Sequence, residues 1–548
     1  MATTRRRSAA LVLLVIAALA YFNAVSDVFV YDDDLFVGDN VAIRSWRNAP
    51  MVLRPSFYVE RALAYRPLVM LSYFWDYSLW GLRERGFHFT NFAVHGINAI
   101  LVLLLAQRAG LSRGVSLVGA LAFALHPVQA EAVNGVAFRE EMLCLLFVLC
   151  AALFSSAPRR WPLAALAVIF AALSKETGVL AVPLAITAYH VLGTGKPAPR
   201  ASRPWLISLA AIAFALAPII LWSLWKLLPE SGAPAVDMSL SDPAALIPVL
   251  ARYAGLAAVP HGLSVDHGLR PAQLTFGSAL GMTVLLGGLM AGAAWARGQR
   301  VLRFGLVWLA VMAIPLLVSA FTPIPVAERR MYGAIVGFGL LASWVGSQRL
   351  AIPKARAATA VFCLMLISFA ALTTARNNAW RGSHALWRSA VATSPNSYRA
   401  RNNLGTCYYT RGAISMALKQ CHVSLALNPQ NAEALYNLGS DCLLRQGSAE
   451  KAIPWYERAL AAKPSHAGAH LNLGEAYRRA GRLDDAVAQF QRLLSAHPDN
   501  AQAHNNLGVC YEQKGLAAQA AAEYERALAI DPAFEPARVN LRKLRGRQ

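Results

Sequence analysis

The sequence predicts an all-α protein in two parts, a polytopic helical membrane domain over residues 1–375 and a solenoid of paired helices over residues 376–548. Three observations carry this. Of 548 residues, 56% are hydrophobic and only 15% charged, well outside the balance of a soluble enzyme. The apolar residues gather before residue 376 in runs long enough to cross a bilayer, while the remainder has ordinary soluble composition. Beyond that point Pro395, Pro429, Pro464, Pro498 and Pro532 recur at spacings of 34, 35, 34 and 34 residues.

Arg5-Arg6-Arg7 precedes the first apolar run, about 9–25, which reads as a signal anchor with a cytoplasmic N-terminus because no convincing small-x-small cleavage site follows. Further spans are expected near 90–108, 115–126, 140–156, 161–174, 177–193, 204–228, 275–295, 301–320, 331–348 and 357–375, about eleven in all. Alternate loops are basic and read as cytoplasmic. Segment 244–259 is apolar enough to cross, but a crossing would put two basic loops outside. With Arg252 in its middle and Pro248 and Pro260 near its ends, it reads as a re-entrant or interfacial helix. The crossings at 161–193 share few residues for a ~30 Å core, which implies a thinned or funnelled site.

The net charge of +22 divides as +9 in residues 376–548 and +13 before them. In the membrane part the basic residues sit in short loops, which is the positive-inside pattern and not a nucleic-acid surface. Arg542-Lys543-Leu544-Arg545 near the C-terminus reads as a surface contact. Seven cysteines show no C-x-x-C spacing, so neither a disulfide framework nor a metal pattern is expected.

The large outer segment 27–89 opens on Asp32, Asp33, Asp34 and Asp39. Clustered carboxylates at a membrane surface make either a solvated acidic loop or a catalytic carboxylate within reach of a lipid-borne substrate. The rest of this segment, rich in Trp and Tyr, suits a helix lying in the interface. His88, Asn91, His95 and Asn98 share one face of the next helix. The two histidines are separated by roughly 10.5 Å of helical rise, too far for one ion, so a polar stripe facing the bundle interior is the better reading. His126-Pro127 and Glu131, Arg139, Lys175-Glu176, Arg252, Asp266-His267 and Glu328-Arg329-Arg330 also fall on the outer side. Outer arginines depart from the positive-inside trend, and near membrane level they are natural phosphate ligands.

In the C-terminal part Leu404-Gly405, Leu438-Gly439, Leu473-Gly474 and Leu507-Gly508 keep the beat of the prolines. Small residues where two helices cross, an aromatic to fill the gap and Pro to stop the second helix define a tetratricopeptide (TPR) array. About four repeats span 396–531, with a half-repeat around Trp387 before them and a capping helix after. The extra residue of the second unit precedes Ala452 and is expected in its inter-helix turn. Cys407, Cys421 and Cys442 are expected as buried fillers. Asn402, Asn403, Asn437, Asn472, Asn505 and Asn506 recur on the first helices. Their amides can bind a peptide backbone, with Asn403, Asn437, Asn472 and Asn506 the candidates, or can hydrogen-bond between helices.

Tyr31-Asp32-Asp33, Tyr65-Arg66-Pro67-Leu68, Phe87-His88, His126-Pro127 with Glu131, Arg139, Lys175-Glu176, Leu263-Ser264 with Asp266, and Glu328-Arg329 with Tyr332 occur in that order. The ordered set resembles the transmembrane-and-TPR-containing O-mannosyltransferases and their bacterial relatives, within the GT-C superfamily, over essentially the whole chain. The resemblance implies a GT-C-like membrane enzyme in the bacterial inner membrane, its active site and repeats on the periplasmic face (the ER lumen in a eukaryote). It implies a polyprenyl-phosphate-sugar donor carrying mannose or another hexose, a hydroxyl acceptor such as protein Ser/Thr held by the TPR array, and no nucleic acid.

Asp32 and Asp33 match the paired acids of that family's first outer loop. Asp34 is a departure, creating an Asp-x-Asp that accompanies a divalent metal in the related oligosaccharyltransferases. A monophosphate donor could leave without one, so no cofactor is required, and Asp32 and Asp34 would be the pair to hold a metal. In the expected reaction Asp32 is the base, Asp33 orients and Glu131 positions hydroxyl groups. Arg139 is the first choice to stabilise the leaving phosphate, followed by Arg329, Arg252 and Lys175. Glu176, His88, His126, Asp266 and Glu328 complete the substrate-binding set. The contrasting reading is a membrane-anchored TPR scaffold with a degenerate enzyme domain, which would bind no donor.

Overall fold

A computed structural model describes residues 2–25, 28–59, 64–193, 246–269, 276–296, 298–319, 324–349 and 355–546, all helical or irregular, without a strand. The chain divides into two compact units, Met1–Thr393 and Ser394–Gln548.

The first unit opens with α1 (Ala2–Tyr21) and, after the outer segment, runs through α2 (Pro67–Trp80), α3 (Glu84–Arg108), α4 (Arg113–Leu125) and the short α5 (Gln129–Asn134). Next come α6 (Arg139–Ser155), α7 (Trp161–Ser174), α8 (Ala181–Leu192) and α9 (Leu246–Ala258). It closes with α10 (Phe276–Trp295), α11 (Arg300–Ser319), α12 (Ala334–Arg349), α13 (Ala355–Ala379) and α14 (Ser383–Thr393). Among the described residues three helices, α3, α11 and residues 359–379 of α13, are long and apolar enough to cross a membrane. This is a helical membrane protein. The span expected at 204–228 lies outside the described residues.

Helix α9 is described from Leu246 to Ala258, within the segment expected to be re-entrant or interfacial. Helices α7 and α8, of 14 and 12 residues, are too short to cross a ~30 Å hydrocarbon core alone, and the turn Glu176–Leu180 joins them. Helices pack closely at small residues. A Cβ on Gly119 of α4 would lie 2.8 Å from the Gly339 carbonyl of α12, a contact open only to glycine.

The outer segment builds a small core of its own from Val37, Ile43, Val52, Phe57, Tyr58, Tyr73 and Phe74. Trp46, Trp75 and Trp80 remain exposed, as interfacial anchors do. Pro67 opens α2, its missing N–H harmless in the first turn.

The second unit stacks four helix pairs, α15 (Tyr398–Thr410) and α16 (Ile414–Leu427), α17 (Ala432–Ser440) and α18 (Ala449–Ala462), α19 (Ala467–Arg479) and α20 (Leu483–Ala496), and α21 (Ala501–Gln513) and α22 (Ala517–Ile530). The cap is α23 (Glu535–Arg545). Glycine is required where an aromatic crosses: a Cβ on Gly474 would sit 2.6 Å from the Phe490 ring. Cys421 is buried, Cys407 and Cys442 half-buried, and all seven cysteines are free.

Two expectations about the repeats change. Helix α14, read as a half-repeat, falls in the first unit, where the Trp387 ring lies 5.5 Å from that of Tyr31. The extra residue of the second repeat is absorbed in the first helix and not in the turn before Ala452. There α17 ends in a widened π turn, Asp441–Arg445, closed by Gln446 N–H donating to the Asp441 carbonyl at 3.1 Å.

Candidate functional site

The acidic loop separates its two leading carboxylates. Tyr31 has φ +67°, the only positive value among described non-glycine residues, in a region that costs a side chain of this kind on the order of 1–3 kcal/mol. The chain turns there, Asp33 goes inward and Asp32 outward. Asp33 is fully buried, its Oδ1 accepting from Ala137 N–H at 2.7 Å and its Oδ2 from Val30 N–H at 3.1 Å. Burial pushes its carboxyl up to about 7 despite those two donors. Asp33 therefore ties the first loop to the segment between α5 and α6 and offers no surface to a substrate.

Asp32 lines a cavity of about 360 Å³ whose wall also includes Arg66, Phe138, Lys175, Arg329 and Arg330. Burial raises the Asp32 pKa and the Arg329 charge partly offsets it, a carboxylate suited to accept a proton. Arg329 is fixed from three sides. Its guanidinium and backbone N–H both donate to the buried Glu131, and its Cζ stands 4.2 Å from the Phe138 ring centroid. Burial alone would lower the Arg329 pKa, but Glu131 and then Tyr31 more than offset it, so the guanidinium stays charged.

The opposite wall is a ladder of ion pairs. Arg66, just before α2, holds Glu176 through two nitrogens at 3.1 and 3.3 Å and Glu140 at 3.1 Å. Lys175 donates to Glu141. The turn that presents Lys175 and Glu176 depends on Gly178, where a Cβ would meet the Ala171 backbone at 2.1 Å. Ile314, Pro315, Val318 and Ser319 of α11 line this cavity as well. Other residues of α11, Leu309, Ala313, Leu316 and Leu317, line an apolar groove of about 510 Å³, with Leu250 of α9 and Leu285 of α10 among its other walls.

The expected site residues thus part company. Asp32, Lys175, Glu176 and Arg329 converge on the cavity, and Glu131 stands behind Arg329. Arg139 does not join them. It is fully buried, paired with Asp76 at 2.6 Å and donating to Asn91, Ser72 and the Phe87 carbonyl. His88 meets the Val28 carbonyl at 3.3 Å, and His126 the Ala257 carbonyl at 3.2 Å with Val128 N–H on its other nitrogen. Arg252 reaches His267 at 3.2 Å and the carbonyls of His261 and Gly262. Glu328 collects Arg376 at 3.2 Å, His267 at 3.4 Å and Ser264 N–H, while Asp266 accepts from Gly268 N–H at 2.8 Å. Asp34 is exposed and is not part of the cavity wall.

Arg66, Glu140, Glu141 and Arg330 lie in the wall without having been assigned a role. The signal for Arg66 was present: it is another outer arginine against the positive-inside trend. In the repeats Asn437 donates to Asn402 at 3.1 Å and Asn472 to the Tyr436 hydroxyl at 3.2 Å, so both bond between helices. Asn472 and Asn506 also line a cavity of about 330 Å³ with Arg478, Arg479 and Leu444, and Asn403 is half-buried.

Family models for the tetratricopeptide repeat match residues 471–533 and 441–481. The chain is 25% identical over 549 residues to the Protein O-mannosyl-transferase TMTC3 of Mus musculus, covering 87% of this chain and 59% of that protein. It is 23% identical over 561 residues to Tmtc3 of Drosophila melanogaster, covering 86% and 57%, and 31% identical over 182 residues to Tmtc1 of that organism, covering 31% and 21%. The chain spans about 59% of the length of the first of these curated relatives. Among solved structures, that of YrrB, "a TPR protein with an unusual peptide-binding site", is 25% identical over 31% of this chain and 87% of that one, with a TM-score of 0.26. The resemblance drawn from the ordered motifs is borne out: over most of the chain the curated relatives are protein O-mannosyl-transferases with similarity extending into TPR repeats.

Proposed function

We propose that this chain is an integral-membrane glycosyltransferase that moves mannose or another hexose from a polyprenyl phosphate to a Ser/Thr hydroxyl of a protein held by the repeats, at the periplasmic or lumenal face. One observation carries the reading. A single exposed carboxylate, Asp32, shares a cavity with Arg329, Lys175 and Arg66. The apolar groove across α11 suits an isoprenoid chain. The names of the relatives support mannose as the sugar and protein as the acceptor.

In this reaction the acceptor hydroxyl gives its proton to Asp32 as its oxygen attacks the sugar C1. The bond from C1 to the phosphate oxygen breaks and its electron pair leaves with the polyprenyl phosphate. Arg329, preorganised by Glu131, stabilises the charge that develops there, with Lys175, Arg66 and Arg330 beside it. The phosphate thus falls to Arg329 and not to the internally satisfied Arg139. Glu140 and Glu176 hold Arg66, and Glu141 holds Lys175, until the donor phosphate exchanges for them.

The test is transfer of labelled mannose from synthetic polyprenyl phosphate to a Ser/Thr-rich polypeptide by the purified full chain. Label is expected in the polypeptide as an O-linked hexose. A folded preparation that leaves both mannose and glucose donors intact in the presence of acceptor would refute the reading.

A further inference from the structure

Tyr31 and Trp387 take no part in the reaction just described, yet they stand directly behind its charged groups. The Tyr31 ring lies between Phe138, at 5.6 Å, and Trp387, at 5.5 Å. Phe138 carries the Arg329 guanidinium on its face, and Trp380 stands edge-on to it at 6.2 Å. One aromatic column therefore runs from α14 through the first outer loop to the cation that shares a cavity with Asp32. A tyrosine at φ +67° persists only where its surroundings impose that conformation. Here they are the two flanking rings and the Asp33 hydrogen bonds two residues along.

We propose that Trp387 and Tyr31 are positioning residues, the column seating Arg329 against Phe138 and turning Asp32 into the cavity, so that α14 sets the geometry of the transfer site. The proposal rests on the glycosyl-transfer reading of the cavity. It adds that a helix ending at Thr393, immediately before the repeats in sequence, tunes the site without touching substrate. Loss of the Trp387 ring frees Tyr31 to relax toward negative φ, which swings Asp32 away from Arg329. The other charged groups of the cavity are fixed outside the column: Arg66, Glu140, Glu141, Lys175 and Glu176 pair among themselves, and Arg330 donates to the Ile324 carbonyl at 2.7 Å. A change in the field at position 32 therefore reports the column.

The test introduces Asp32→Cys into the full chain in detergent, alone, with Trp387→Ala and with Trp387→Phe. Modification at position 32 by anionic and cationic methanethiosulfonates of similar size is followed by mass spectrometry. The anionic reagent is expected to react at least threefold faster in Asp32→Cys alone and with Trp387→Phe, and at near parity with Trp387→Ala. An unchanged preference in folded Trp387→Ala overturns the proposal, and Trp387→Leu decides it where the alanine variant does not fold. In the transfer assay Trp387→Ala should lower kcat at least tenfold, leave donor KM within threefold and move the acid limb of kcat/KM to lower pH, because the burial that raises the Asp32 pKa in the cavity outweighs the Arg329 charge that lowers it. Trp387→Phe should restore both. A lower rate with an unmoved acid limb contradicts the proposal, since loss of folded protein alone does that. A wild-type chain that transfers no sugar sinks the glycosyltransferase reading, while the thiol preference still decides the column.

Discussion

Two adjacent aspartates of the same chemistry do different work because the backbone between them reverses. Asp33 is held by two backbone donors and has a carboxyl raised from 3.8 to about 7, chiefly by burial. Such a group holds its proton more tightly in the folded chain by on the order of 4 kcal/mol. Between about pH 4 and 7 the folded state keeps a proton that the unfolded chain has released. The stabilisation is full below pH ~4 and lost as the pH rises through about 7. The thermal midpoint in detergent is therefore expected to fall from pH 5 to pH 8. Asp33→Asn should flatten that slope and cost about 1–3 kcal/mol, because an amide cannot accept from both donors. A midpoint that rises over this range would contradict the assignment. The sequence placed both acids in one loop, but only the fold, through the turn at Tyr31, tells which one faces the cavity.

Arg139 makes the same point for cations. Its partner, Asp76, lies on α2, a helix that reads as interfacial from its aromatics, so nothing in the sequence pairs the two. Arg139→Ala should destabilise the fold by about 3–5 kcal/mol by stranding Asp76, with donor KM little changed in whatever protein survives. A raised KM at full stability would return the phosphate role to Arg139.

At the scale of elements, two features were legible and one was misplaced. The 34-residue period fixed the repeats, because stacked helix pairs must repeat their small and aromatic residues at the crossings. The shortness of 161–193 foretold an irregularity, and the Lys175–Glu176 turn is that irregularity. Gly178→Ala would push a methyl into the Ala171 backbone, so the expected outcome is loss of the Arg66–Glu176 pair and a drop in transfer of tenfold or more. Unchanged transfer would show that the turn does not present these groups. The extra residue of the second repeat lies in the first helix and not in the expected inter-helix turn, and the glycine spacing already carries that position. From the Leu-Gly glycine to the turn glycine there are seven residues in three repeats, but eight from Gly439 to Gly447. A helix absorbs one residue most cheaply by widening a turn.

At the scale of the whole molecule, composition alone separated the membrane part from the repeats, since a bilayer and water select different residues. It could not choose among the outer arginines, because which guanidinium reaches the cavity depends on contacts between residues far apart in the chain. Arg329 and Glu131, 198 positions apart, meet only in the fold. Sugar transfer by this chain therefore depends on Asp32 acting as the base beside that preorganised cation. Its most direct test is the rate of sugar transfer by Asp32→Asn in a preparation whose thermal midpoint matches wild type. The prediction is a loss of about 10²–10⁴-fold with donor binding retained. Transfer within threefold of wild type would contradict it.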